Sequence, residues 1–270
     1  MSHHADSDAE TYATTDATAA ATTAATTAAT QGDTALPASL RALYLGCSSA
    51  SISTQLVRRG LRNVAVRGVR PLRRDLPPMV GPAFTLRYVP AREDLDAYGS
   101  GGDPNNLQRQ AIERIPAGCV FVMDCRGATD IAGIGSILGR RLVTRGIEGV
   151  VLDGGVRDTR AFEAIALPVY CAGPSVPPNY VGHHAADMNV TVACGGVAVY
   201  PGDIVFGDSE AVVVIPRHLA AEIAADASEM ERRERFLFKE IESGRSIQGV
   251  YPPDDETTRR YTAAKERGEA

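Results

Sequence analysis

Residues 152–160 read LDGGVRDTR and place a guanidinium and a carboxylate side by side at the end of an apolar run. Arginine carries a rigid fork of donors that fits a carboxylate or an enolate oxygen. An aspartate beside it is a hard oxygen ligand of the kind Mg²⁺ or Mn²⁺ takes. Two other roles stay open for the pair. Asp158 has the residue type and position to cap a helix over 159–166, and Arg157 alone would serve in a surface salt bridge. The preceding Gly154 and Gly155 would let the backbone turn sharply and let a ligand come close.

A second stretch, GIGSIL at 133–138, is a glycine-rich turn opening a helix. The unpaired N–H groups of a first helical turn make a seat for an anion. The chain has only two lysines, Lys239 and Lys265, both toward the C-terminus. A Schiff base with a core lysine is therefore not expected.

The remaining candidates read more simply. His183 and His184, in NYVGHHAADMN, titrate near neutral pH but are expected in a polar loop facing solvent or a subunit contact. Asp203 and Asp208 fall in strand turns, where aspartate serves the backbone. Glu93, Asp94 and Asp96 read as a solvated acidic face. GSGGDPNN (99–106) lacks the lysine and hydroxyl of a phosphate loop and is expected to border the site. The five cysteines, Cys47, Cys119, Cys125, Cys171 and Cys194, form no CxxC pair and read as free thiols rather than zinc ligands.

These residues need a scaffold, and the pattern supplies one. Expected helices cover 48–60, 101–118 (Asp103 as cap, Pro104 in the first turn), 135–146 (Ile137, Leu138 and Leu142 inward) and 157–166. Expected strands cover 80–89, 119–124, 147–153 and 168–173. Such alternation implies parallel pairing with crossover helices. Residues 190–216 change to strands joined by Gly- and Asp-containing turns, which implies antiparallel hairpins. A long helix follows over 217–243. The expectation is a single α/β domain over 37–270, with a mixed sheet flanked by helices, an antiparallel extension, and a C-terminal helix and tail. Residues 1–36, rich in alanine and threonine, are expected to be disordered.

With 270 residues there is ample length for a hydrophobic core. A net charge of −5 does not point to nucleic acid or an anionic membrane. No run approaches the ~18 apolar residues of a membrane span, and without a basic start and apolar run at the N-terminus a secretory leader is not expected. A cytoplasmic protein is the plain expectation.

Four stretches carry a family resemblance: GSILGRRLVTRGIEGVVLDGGVRD (135–158), MVGPAFTLRYVPAREDLD (79–96), CGGVAVYPGDIVFGDSEAVVVIP (194–216) and GRSIQGVYP (244–252). Over about 40–250 the chain resembles the RraA-like proteins, which include the 4-hydroxy-4-methyl-2-oxoglutarate aldolases, and fits best their longer branch, often labelled regulators of ribonuclease activity. The resemblance implies a Mg²⁺- or Mn²⁺-dependent lyase. Such a lyase cleaves a 4-hydroxy-2-oxo acid to pyruvate and a second carbonyl compound, and in many members decarboxylates oxaloacetate. It implies a site between subunits of a homotrimer or homohexamer. Gly135, Ser136, Ile137, Leu138 and Arg157 would bind substrate, Arg157 and Asp158 would act in catalysis, and Asp158 would ligate the metal. Active aldolases of the family often carry an acidic residue where Ser136 stands. The resemblance equally allows a non-catalytic regulator that binds a ribonuclease, or a sugar-acid lyase or dehydratase.

Overall fold

In the computed structural model, residues 35–97 and 102–269 are described. The expected disordered tail, up to residue 34, lies outside them, as do residues 99–101 of the expected border loop. In chain order the chain forms α1 (Ala38–Leu45), α2 (Ser49–Arg58), β1 (Arg70–Pro71), β2 (Met79–Pro90), α3 (Leu107–Arg114), β3 (Val120–Asp124) and β4 (Ala132–Ile134). These are followed by α4 (Ser136–Thr144), β5 (Gly149–Leu152), β6 (Gly155–Val156), α5 (Thr159–Phe162), β7 (Val169–Cys171), β8 (Gly173–Pro174) and β9 (His183–Met188). Strands β10 (Val192–Cys194), β11 (Val197–Val199), β12 (Ile204–Gly207) and β13 (Val212–Ile215) lead into α6 (Ala220–Glu242) and α7 (Asp255–Glu266).

The main sheet is mixed, in the order β1-β7-β5-β3-β2-β12-β13, with β9 also on β2. Strands β7, β5, β3 and β2 run parallel through crossover helices, as the alternation requires. The β12–β13 hairpin adds an antiparallel edge, and β10–β11 forms a separate hairpin.

Period-two patterning explains the layers. Along β3, Phe121 and Met123 face α3, α4 and α5 with Ile112, Leu142 and Phe162. Val120 and Val122 face the opposite side, with Val197 and Val199. A third cluster seats Ile52, Leu56 and Ile223, from α2 and α6, on Phe206 and Ile215. Because both faces are covered, the central strands read as nearly unbroken apolar runs.

Some expected boundaries move. Helix α3 begins at Leu107, where Asn106, extended in backbone, accepts from the Arg109 N–H at 3.1 Å. Asp103 instead holds the preceding turn through the Asn105 N–H, so it is not the cap. Helix α5 shrinks to four residues. Helices α1 and α7 were not foreseen; Asp254 caps the latter through the Thr257 N–H at 2.8 Å. Among the described residues no helix is long and apolar enough to cross a membrane.

Candidate active site

Three short parallel strands, β4, β6 and β8, form a second sheet beyond the ends of β3, β5 and β7. Ala132 pairs with Gly155 and Ile134 with Val156, and the Arg157 N–H donates to the Ile134 carbonyl at 3.1 Å. The next residues of the two strands therefore emerge together: Gly135 and Ser136 from one, Arg157 and Asp158 from the other. The backbone bends at Asp153 and Gly154, as expected, with neither Gly154 nor Gly155 in the left-handed region. Both glycines are needed for close approach, since a Cβ on Gly154 would meet Cys125 Cβ at 2.7 Å and one on Gly155 would meet Ser175 Cβ at 2.4 Å.

The left-handed conformation falls on Asp158 itself, at φ 59° and ψ 35°. Its side chain caps no bond of α5, which removes the helix-cap alternative. The carboxylate turns back instead, and Oδ2 accepts from the Ser136 N–H at 3.2 Å and the Ser136 hydroxyl at 3.3 Å. Arg157 Nε stands 3.5 Å from Oδ1, too far for a strong hydrogen bond. Burial alone would raise the Asp158 pKa. Hydrogen bonds from Ser136 and the charge of Arg157 outweigh it and hold the carboxyl below its ordinary value, so it is an anion at neutral pH.

Helix α4 starts at an extended Gly135 with no side-chain cap. Asp158 takes the Ser136 N–H, and the first-turn N–H groups of Ile137 and Leu138 have no acceptor within the helix. Gly135 is required by proximity: a Cβ there would stand 2.9 Å from Asp158 Oδ2 and 3.0 Å from Arg157 Cγ. Ile137, expected inward, is 80% exposed. The buried stripe of α4 runs through Gly139 and Leu142, leaving the first turn at the mouth of the site. An open cavity of about 680 Å³ adjoins it, lined by Asp158, Thr159, Arg160 and Ala161.

One neighbour went unrecognised in the sequence. Gln108 of α3, buried, donates to the Gly133 carbonyl at 2.6 Å and accepts from Asn179 at 3.3 Å, tying down β4 two residues before Gly135. Its signal was a stripe at 108, 111, 112 and 115, where the polar member shares the apolar face.

Other candidates settle elsewhere. His183 lies not in a solvent loop but on β9, 2% exposed, stacked on Tyr88 with centroids 4.9 Å apart. Burial and Arg126 push its pKa down to about 4, so the ring is neutral. His184 Nδ1 lies 2.8 Å from Asp96 Oδ1, so that member of the acidic group is not simply solvated, while Asp94 pairs with Arg92 in solvent. Asp203 and Asp208 accept from turn N–H groups, as expected. The five cysteines are free and buried.

Among the described residues no group of three or more His, Cys, Asp or Glu could hold a metal. Asp158 supplies a single ionised oxygen ligand, which fits Mg²⁺ or Mn²⁺: Mg²⁺ is commonly held by one or two carboxylates and completed by water and substrate. It does not fit zinc, which wants three or four nitrogen or sulfur donors.

The RraA-like family model, described as Aldolase/RraA, matches residues 49–214. A Halalkalibacterium halodurans protein named "Putative 4-hydroxy-4-methyl-2-oxoglutarate aldolase" is 31% identical over 163 residues, covering 59% of this chain and 71% of that one. Protein DlpA of Legionella pneumophila is 27% identical over 218 residues, covering 81% of this chain; the chain spans only 34% of that relative's length. The crystal structure of Streptomyces coelicolor RraAS2, described as an unusual member of the RNase ES inhibitor RraA protein family, superposes with a TM-score of 0.66 at 30% identity, covering 74% of this chain and 96% of that one.

Proposed function

This chain belongs to the RraA-like family, and from that premise we propose that it is a Mg²⁺- or Mn²⁺-dependent carbon–carbon lyase. Its substrate is a 2-oxo acid, either a 4-hydroxy-2-oxo acid cleaved by retro-aldol reaction or oxaloacetate undergoing β-decarboxylation, and both leave a pyruvate enolate. What supports this is the convergence of an ionised Asp158, the Arg157 guanidinium and a helix N-terminus within one turn of each other.

The α-carboxylate sits on the N–H groups of Ile137 and Leu138, where the dipole of α4 favours an anion. Arg157 donates to the keto oxygen and strengthens its hold as that oxygen gains charge, which is the differential binding catalysis requires. Asp158 holds the cation, kept anionic and aimed by Ser136. When bound, the metal supplies a Lewis acid that lowers the cost of charge on the keto oxygen. Bond cleavage leaves its electron pair on the enolate, and in decarboxylation CO₂ departs with no proton to be removed first. Retro-aldol cleavage also needs an acceptor for the 4-hydroxyl proton; Ser136 supplies no carboxylate for it. We place the assembly as a homotrimer or homohexamer, with the site completed across a subunit contact.

The test is pyruvate release from oxaloacetate and from 4-hydroxy-4-methyl-2-oxoglutarate with Mg²⁺, with chelator, and in Asp158→Asn. Release that needs both metal and Asp158 is expected. Metal-independent release equal in the variant overturns the assignment. The likeness to RraAS2 keeps a second reading: no release by a folded oligomer that inhibits a ribonuclease would make the chain a regulator. Turnover of sugar acids alone would make it a lyase or dehydratase of that class.

A further inference from the structure

A second cavity, of about 460 Å³, lies between α2, α6 and α7, most of it formed by helices beyond the matched family region at 49–214. That volume is in the range that takes a small organic ligand. None of its lining residues belongs to the site at 135–158.

Four cations near this cavity are paired. Arg59 meets Asp226 at 2.7 Å, Arg260 meets Glu240 at 2.7 Å, and Lys265 and Arg232 meet Glu229 at 2.8 and 3.3 Å. The two arginines that line the cavity are not. Arg58 has only a 3.5 Å contact to Gln55 Oε1. Arg233 has no hydrogen bond or ion pair among the described residues. Asp226 and Glu229, on the same wall, are already engaged by Arg59 and by Tyr261, Lys265 and Arg232.

Gln55 adds an independent sign. It is 3% exposed and lines the cavity, yet its amide nitrogen meets only the Met230 sulfur, at 3.3 Å. A thioether is a weak acceptor, and a buried amide left so poorly matched is costly. Met230, Leu237 and Tyr261 add apolar surface to the lining.

We propose that this cavity binds a small organic anion, with a phosphate or carboxylate head received by Arg58, Arg233 and the Gln55 amide and an apolar body lying on Met230, Leu237 and Tyr261. Guanidinium forks suit both head groups, so the experiment separates them.

Phenyl phosphate, benzoate and inorganic phosphate are titrated calorimetrically into the full chain and into Arg58→Gln/Arg233→Gln, Gln55→Leu and, as a surface control, Arg235→Gln. Saturable binding of phenyl phosphate or benzoate is expected, weakened at least tenfold in the double variant and unchanged in Arg235→Gln. Preference between the two identifies the head group. The double variant changes partly exposed side chains and should melt like the wild type; Gln55→Leu checks the same site through a neutral donor. The proposal is overturned if neither aromatic probe binds, if binding survives the double variant, or if inorganic phosphate binds as tightly as phenyl phosphate. Asp158→Asn should leave this binding intact, which keeps it separable from the lyase assignment.

Discussion

The Asp158 carboxylate reaches back 22 residues to accept the Ser136 N–H at 3.2 Å. Two turns that are far apart in the chain are thereby one constellation. The contact places a negative group on the positive end of α4 and aims its other oxygen toward Arg157.

Gly135 guards that contact. In Gly135→Ala the new Cβ would lie 2.9 Å from Asp158 Oδ2, so the carboxylate must move. Displacements of this kind cost roughly 100-fold in rate when the group positions a substrate or a cation. The expected outcome is such a loss in pyruvate release from oxaloacetate with little change in melting temperature. Wild-type turnover in the variant would mean that the Asp158 position is not used.

Ser136→Asp should tighten divalent-cation binding. A second carboxylate beside Asp158 adds an oxygen donor, and mutual repulsion raises the pKa of the pair. About a tenfold gain in Mn²⁺ affinity is expected at neutral pH, ~1.4 kcal/mol, read by electron paramagnetic resonance of free Mn²⁺. Metal binding should also become more sensitive to acid than in the wild type. Unaltered affinity would argue against a cation at Asp158.

Gln108→Leu removes a buried amide and leaves the Gly133 carbonyl without its 2.6 Å donor. An unsatisfied buried group costs about 1–3 kcal/mol, to be measured by urea denaturation. Because the loosened strand leads into the seat at Ile137 and Leu138, KM should rise more than kcat falls. Equal loss of both with unchanged stability would contradict a positioning role.

His183 makes the fold acid-sensitive. Its folded pKa of about 4 lies below the ordinary 6.5, so between these values the unfolded chain takes up a proton that the folded ring refuses. The stability at stake is present above pH 6.5 and is lost as pH falls toward 4, about 3 kcal/mol at the limit. Melting temperature measured from pH 7 to 4.5 should fall less steeply in His183→Phe, which keeps the ring stacked on Tyr88. Parallel slopes would show that the ring protonates freely.

Much of the scaffold was legible because its signals are local. Val120 to Met123 is too apolar for a surface strand and too short for a helix. Ser48 caps α2 through a residue three positions on. The helix α7, though unforeseen, was also written locally, in Asp254 as cap and a buried stripe of Thr257, Tyr261 and Ala264. His183 was not legible: a polar flanking sequence suggests a loop, and only pairing with β2 and stacking on Tyr88 bury it.

The alternation of the central strands and helices, the glycine-rich turn at 133–138 and the adjacency of Arg157 to Asp158 follow from the sequence alone, since period and capping act within a few residues. Whether Asp158 caps its own helix or serves another was undecided at that level. The tertiary structure decided it by pairing β4 with β6 in register and holding Asp158 in a left-handed conformation, which turns the carboxylate toward Ser136. Strand register and the direction of a side chain depend on partners distant in the chain, and no local pattern carries that information.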